Sequence, residues 1–203
     1  MLNNKELIDH LIKRRVLVSG TIIDALSSID RINFVRPEEL NRAYMDNPLS
    51  IGYDQTISQP YTVIFMLELL QAEKGNKVLD IGSGSGWTTA LLAHIVQKEG
   101  SVLGMEKVSD LVKFGKNNIE KYNFTNAKIV QSEEELGKPE EQFDRVLVSA
   151  AARKVPDELV DQLKIGGRMV IPVQSSIYKV DKISKEQVEK DENYGFSFVP
   201  LIY

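Results

Sequence analysis

The chain has no cysteine and only two histidines, His10 and His94, in 203 residues. That scarcity excludes disulfides, thiolate metal sites and cysteine nucleophiles, and leaves too few imidazoles for a histidine metal site or a nucleophile–histidine triad. No metal is expected. Charge of one sign is also missing: 25 basic residues stand against 29 acidic ones, a formal net charge of −4, with no long basic run. Nucleic-acid binders draw most of their affinity from phosphate contacts on a basic face, so no nucleic-acid partner is expected. The opening MLNNKELIDHLIKRR is charged and lacks the apolar centre of a secretory signal. No stretch reaches the roughly 20 apolar residues that cross a bilayer. The expectation is a cytoplasmic monomer with no membrane attachment. What is present is ample apolar content, 42% of the chain, enough to bury one core as a single domain over 1–203.

Two helical patterns open the chain. Leu7, Ile8, Leu11 and Ile12 recur at helical spacing, and Ile22, Ile23, Leu26 and Ile29 do so again after Ser19-Gly20. Both read as packing elements. Residues 31–60, with Pro37, Pro48, Gly52 and Pro60, show no sustained period, and a loop of that length inside a compact chain points to function. A buried helix is expected over 61–72. From Lys77 strands and helices alternate: strands at 78–81, 101–106, 127–131, 144–150 and 168–173, with helices after Trp87, over 108–122 and over 156–164. Pro156 suits a first helical position, Asp157 and Glu158 complement the dipole behind it, and Gly166-Gly167 reads as a turn. This alternation predicts an α/β fold with a doubly wound, mainly parallel Rossmann-like sheet and helices on both faces. Weak alternation after Gln174 predicts an antiparallel C-terminal edge. Residues 1–60 are then N-terminal helices and a covering loop, and 61–203 the core with its edge.

The run VLDIGSGSG joins a strand, a carboxylate at Asp80, and glycines at 82, 84 and 86. In a doubly wound sheet the first strand-to-helix turn is where a ligand meets backbone amides at a helix N-terminus, and glycine lets it approach without a Cβ in the way. A dinucleotide fingerprint spaces its glycines GxGxxG around a pyrophosphate, whereas this turn reads GxGxG, and no Gly-Lys-Ser/Thr follows it. The pattern suits a ligand without phosphate, with an amino-acid end near Asp80 and the turn, and a nucleoside. Glu106 ends the second strand about 20 residues further on, where a carboxylate can accept both ribose hydroxyls. Trp87 opens the following helix as a candidate neighbour of the nucleoside.

At this point the chain resembles the protein-L-isoaspartate O-methyltransferase family. The segments that carry the resemblance are RINFVRPEEL, NPLSIGYDQTISQP, KVLDIGSGSGWTTALLA, FDRVLVSAAA, VPDELVDQLKIGGRMVIPV and the terminal FVPL, which together span most of residues 5–201. IGYDQTISQP is the specific one, because GSGSG alone recurs in many methyltransferases. The resemblance implies the doubly wound methyltransferase fold and S-adenosyl-L-methionine as methyl donor, with S-adenosyl-L-homocysteine as product. It implies isoaspartyl-containing proteins or peptides as substrate: the α-carboxyl of an L-isoaspartyl residue is methylated, and the ester closes to a succinimide whose hydrolysis returns some normal aspartate. Ser58 matches the serine of the family's active-site segment. Ile51, Gly52, Tyr53, Asp54, Asp80, Gly82, Ser83, Gly84, Glu106 and Lys107 fall at cofactor positions. Thr56, Ile57, Ser58 and Val199 border the substrate.

The chemistry agrees with the scarcity of histidine. A carboxylate with an ordinary pKa near ~4 is already ionised at neutral pH, so its attack on a sulfonium methyl needs alignment and exclusion of water but no general base. Ser58 is accordingly read as a positioning hydroxyl, not a nucleophile. One family element differs: a Gly-Asp-Gly that recognises adenine after the third strand corresponds here to Gln131-Ser132-Glu133. Ser132 keeps an acceptor without the charge, and Glu133 is a second candidate for that contact. Two further readings stay open from this break, transfer to another carboxylate and a family-derived binding protein without turnover.

Overall fold

The structure is a computed structural model and describes residues 3–201. The chain opens with α1 (Asn4–Lys13) and α2 (Gly20–Ser28). Asn3 caps α1 by accepting from the Glu6 amide at 2.9 Å, and Leu7, Ile8 and Leu11 form its buried stripe. Residues 31–60 carry more structure than the loop expected of them. They hold two 3₁₀ turns (Arg31–Phe34 and Pro37–Arg42) and an antiparallel hairpin of β1 (Leu49–Gly52) and β2 (Gln55–Ile57). Strands of four and three residues are too short to show a period, and the hairpin turn lacks the Asn-Gly or Asp-Gly that would announce it. Tyr53 and Asp54 take positive φ (57° and 56°) in its place, after Gly52 at 86°.

After α3 (Pro60–Leu70) come β3 (Lys77–Ile81), α4 (Trp87–Val96), β4 (Ser101–Glu106), α5 (Ser109–Glu120), β5 (Ala127–Gln131) and β6 (Phe143–Val148). Then follow α6 (Asp157–Asp161), β7 (Leu163–Val173), β8 (Ser176–Lys182) and β9 (Val188–Tyr194). The helix expected over 156–164 is shorter, because Pro156 sits outside it as the N-cap and β7 begins at Leu163. Gly166-Gly167 does not end an element either; β7 runs through it, and its register against β6 shifts there.

The main sheet has seven strands in the order β5-β4-β3-β6-β7-β8-β9. β5 through β7 pair in parallel, and β8 and β9 add an antiparallel edge. Side chains alternate between two apolar clusters, as a doubly covered sheet requires. Val78, Val102, Leu147 and Val170 pack with the helical layer built around Trp87, Leu91, Ile64 and Leu7, while Leu79, Leu103, Val146 and Met169 pack with Leu159 and Phe143. Strand order reverses at β3, whose neighbours β4 and β6 lead away in opposite directions. The crevice at the carboxyl ends of these strands is where a doubly wound sheet receives its ligand.

Glycines set how closely α5 approaches that crevice. A Cβ on Gly115 would lie 2.9 Å from the Gly84 carbonyl and 2.9 Å from Ile129 Cδ1. By contrast, Gly20, at the start of α2, has open space around it. Ala gains up to ~1 kcal/mol over Gly inside a helix, whereas overpacking costs roughly 1–3 kcal/mol. Gly115→Ala should therefore lower the urea midpoint and Gly20→Ala should hold or raise it. A Gly115→Ala protein as stable as the parent would show that α5 moves off the turn freely.

Candidate active site

The crevice starts with the turn between β3 and α4. Gly82, Gly84 and Gly86 all take positive φ (76°, 48° and 85°), a conformation unfavourable for other residues. The Gly82 and Ser83 amides donate to the Met105 carbonyl at 2.8 and 3.0 Å, which ties the turn to β4. Glu106, buried at the end of β4, accepts from Gly84 N at 2.9 Å through one carboxylate oxygen and from Val108 N at 2.9 Å through the other. Each oxygen keeps lone-pair capacity for a ligand.

Asp80 lies beneath this turn, fully buried. Its Oδ2 accepts from the Thr88 and Thr89 hydroxyls at 2.8 and 2.6 Å, and Oδ1 has no partner among the described residues. Burial pushes its carboxyl up to about 6; the two threonine hydroxyls oppose that shift and the charge of Glu106 adds to it.

A cavity of about 860 Å³, its open mouth included, stands above the turn. Gly82, Ser83 and Gly84 form its floor with Trp87 and Thr88, and Glu106, Lys107 and Ser132 its far side. The hairpin supplies the opposite wall through Ile51, Thr56, Ile57 and Ser58. The C-terminal segment closes the rim: Ala151 N donates to Val199 O at 2.8 Å and Leu201 N to Ala151 O at 2.9 Å, bringing Val199, Pro200 and Leu201 against the opening.

Arg31 fixes the hairpin over this cavity. Its fully buried guanidinium donates to the carbonyls of Ala43, Asn47 and Ser58 and lies over the Trp87 ring, 5.3 Å from the centroid. Burial lowers its pKa to about 9, and the charge of Asp46 works against that shift, so the group stays protonated at neutral pH. At the hairpin's other end the Tyr53 hydroxyl donates to Asp110 at the start of α5 at 2.7 Å. Arg36 donates to the Ile51 carbonyl at 2.9 Å while its guanidinium covers the Phe114 ring.

A second, outer groove opens between α3 and residues 194–199 and meets the inner cavity. Thr56, Ser58, Ser149 and Val199 wall both. Among the described residues no hydrogen-bond partner engages the Thr56, Ser58 or Ser149 hydroxyl, so all are free toward this junction.

Of the residues singled out in the sequence, Ile51, Thr56, Ile57, Ser58, Gly82, Ser83, Gly84, Glu106, Lys107, Ser132 and Val199 line the inner cavity. Gly52, Tyr53, Asp54, Asp80 and Glu133 do not. Gly52, Tyr53 and Asp54 are spent on the hairpin turn and its latch to α5. Asp80 is screened from the cavity by the threonines it binds. The Glu133 side chain is directed away, 3.5 Å from Lys138 Nζ, while its carbonyl accepts from Lys107 Nζ at 3.2 Å. His94 pairs with Asp24 at 2.7 Å, and Arg153 and Lys154 line a separate surface depression. Sequence reasoning missed Ser149, Thr88, Met105 and Leu201. Ser149 alone left a signal, as a hydroxyl at the carboxyl end of a parallel strand.

Comparison with known proteins places this arrangement. The family model described as protein-L-isoaspartate(D-aspartate) O-methyltransferase matches residues 2–203. A protein-L-isoaspartate O-methyltransferase of Methanopyrus kandleri is 38% identical over 98% of this chain and 90% of its own length. Another, of Petrotoga mobilis, is 40% identical over 98% of this chain and 95% of its own. Among solved structures, a Plasmodium falciparum chain assigned as a protein-L-isoaspartate O-methyltransferase, in complex with S-adenosyl-L-homocysteine, superposes with a TM-score of 0.88 at 28% identity and covers 98% of both chains. Among the described residues no helix is long and apolar enough to cross a membrane. With a match over nearly its whole length, this chain belongs to the protein-L-isoaspartate O-methyltransferase family.

Proposed function

We propose that this protein transfers the methyl group of S-adenosyl-L-methionine to the α-carboxyl of L-isoaspartyl residues in damaged proteins and peptides. One observation carries the reading: a cavity beside a glycine turn meets a second groove at a junction walled by Thr56, Ser58, Ser149 and Val199. A donor on the inner side and a peptide on the outer side then meet at one point. The inner cavity fits the donor. Gly82 and Gly84 leave the backbone bare toward it, the buried Ser83 hydroxyl has no partner among the described residues, and Glu106, bound to the Gly84 amide, retains acceptor capacity on the cavity side.

When bound, the donor supplies an electrophilic methyl carbon. The chain's own part is alignment. Gly82–Gly84 and Glu106 hold the amino-acid and ribose ends, and Trp87 and Ile51 keep water from the middle. Ser58 and Ser149 donate hydrogen bonds to the acceptor carboxylate from two sides, Ser58 on the Arg31-held hairpin and Ser149 at the end of β6, its amide bound to the Ile81 carbonyl at 2.8 Å. No group in the junction is needed to take a proton, because the acceptor is ionised at neutral pH. Ser132 lines the cavity where the family's adenine-binding aspartate falls, and the Glu133 side chain, 3.5 Å from Lys138 Nζ, does not line it.

Radioactive methyl from S-adenosyl-L-methionine should label an isoaspartyl peptide and leave the matching aspartyl peptide blank. Equal labelling of the pair, or labelling of a small carboxylic acid alone, would overturn the assignment. Ser58→Ala and Ser149→Ala should each lower kcat/KM roughly 10- to 100-fold, the value of one hydrogen bond to a charged group, with little change in donor affinity by calorimetry. Full activity in both variants would remove the hydroxyls from the mechanism. Ser132→Asp should tighten donor binding about tenfold by supplying a charged acceptor. An unchanged Kd would show that another group already holds the adenine.

A further inference from the structure

The outer groove offers more than a path for the acceptor carboxyl. It runs from the transfer junction along residues 194–199, walled by Tyr61, Tyr194, Phe196 and Phe198, with Arg14 at its side. Phe196 is fixed by stacking on Phe65 of α3, ring centroids 5.0 Å apart and 30° between planes. Tyr61 is fixed too: its amide donates to Asp46 at 2.8 Å, and the Arg14 guanidinium sits 4.6 Å from its ring centroid. Asp46 lies 3.9 Å from Arg14 and 3.6 Å from His10, so the local cation has its counter-charge within the protein. The groove thus presents aromatic rings among uncharged polar residues, Thr56, Ser58, Gln59 and Thr62, and no unbalanced charge. Tyr194 is 76% exposed there, a large ring held in water beside a reaction junction.

Continuity with the junction says what lies in the groove. A residue whose carboxyl reaches Ser58 and Ser149 has chain neighbours about 3.5 Å per residue away, so the side chain of an adjacent residue falls along these rings. Apolar or aromatic side chains gain both area burial and ring–ring contact on such a surface, while glycine gains neither and a charged side chain loses solvent without a partner.

Resting on the functional reading above, we propose that the groove is a subsite for a bulky apolar or aromatic residue beside the isoaspartyl residue. The protein therefore methylates damaged sites flanked by such residues in preference to sites flanked by glycine or charge.

The test uses the full chain and isoaspartyl peptides of equal length, with Gly, Phe, Glu or Lys placed immediately before or immediately after the isoaspartyl residue. Phe on one side should raise kcat/KM over Gly by roughly five- to tenfold, chiefly through KM, the value of one aromatic contact. Glu and Lys should fall at or below Gly. Phe198→Ala and Tyr61→Ala should bring the Phe-to-Gly ratio toward one. A variant merely damaged in folding would slow both peptides alike and keep the ratio, so the ratio separates the two cases. Equal kcat/KM for the Gly and Phe peptides on both sides, or a ratio that survives in both variants, would overturn the subsite while leaving the methyltransfer reading intact. Failure to methylate any isoaspartyl peptide, with the donor still bound, would overturn that reading and the subsite with it.

Discussion

The guanidinium of Arg31, buried beneath the hairpin, touches every part of the covering segment that matters. Its donors reach the carbonyls of Ala43, Asn47 and Ser58, adding a buried tie to the pairing of β1 with β2. A carbonyl left without a partner in that position costs about 1–3 kcal/mol, and burying an unbalanced cation costs several more. The arrangement holds because the two problems answer each other: the carbonyls solvate the cation and the cation satisfies the carbonyls. Asp46 adds a counter-charge and the face of Trp87 a π contact, while Nε has no hydrogen-bond partner among the described residues. A planar fork suits this work and a lysine would not, since an ammonium cannot reach separate carbonyls in one plane while stacked on a ring. Ser58 owes its place at the junction to this contact, through its own carbonyl.

The donor side is built on the opposite logic. There the side chains retreat and the backbone does the work. Gly84 lies where a Cβ would come 3.2 Å from Ile51 Cδ1, and Gly104 in the middle of β4 lies where one would come 2.9 Å from the Thr89 hydroxyl. That hydroxyl is one of the two bound to Asp80, so the glycine in β4 makes room for a bond that fixes the carboxylate under the turn. Rigid strand ends and a bare turn define one wall, and a hairpin clamped at Arg31 and at Tyr53–Asp110 defines the other. Preorganisation of this kind lets alignment replace acid–base chemistry.

Much of this was legible in the residues. Alternating strand and helix periods from Lys77 onward announced the sheet, and GSGSG with Glu106 pointed to residues that do line one cavity, because each rests on local spacing. The hairpin was not legible, since its strands are too short to show a period and its turn uses Tyr53-Asp54 where a sequence reader looks for Asn-Gly. Asp80 illustrates another limit. Spacing put a carboxylate beside the turn, but strand alternation aims it into the layer with Thr88 and Thr89, away from the cavity. Glu133 turned outward to Lys138 for an equally local reason, an available partner in its own loop. Ser149 and Leu201 come to the site only through long-range pairing, which no local pattern reports.

The charges around the junction are sorted by side, and the sorting has a consequence for turnover under the proposed reaction. Glu106 lies on the donor side, where the ligand is a cation; hydroxyls lie on the acceptor side, with the Arg31 cation directly behind Ser58. Reactants of opposite charge are each held by the complementary wall. Methyl transfer makes a bond from carboxylate oxygen to carbon and breaks the bond from carbon to sulfur, so the sulfonium becomes a neutral thioether and the carboxylate a neutral ester. Both walls lose their electrostatic grip in the same event, and the hydrogen bonds left to an ester oxygen are about half as strong as those to a carboxylate. A site that binds by charge and reacts by cancelling it favours departure of its products without any moving acid or base, which is the chemistry that a chain with two histidines and no cysteine can perform.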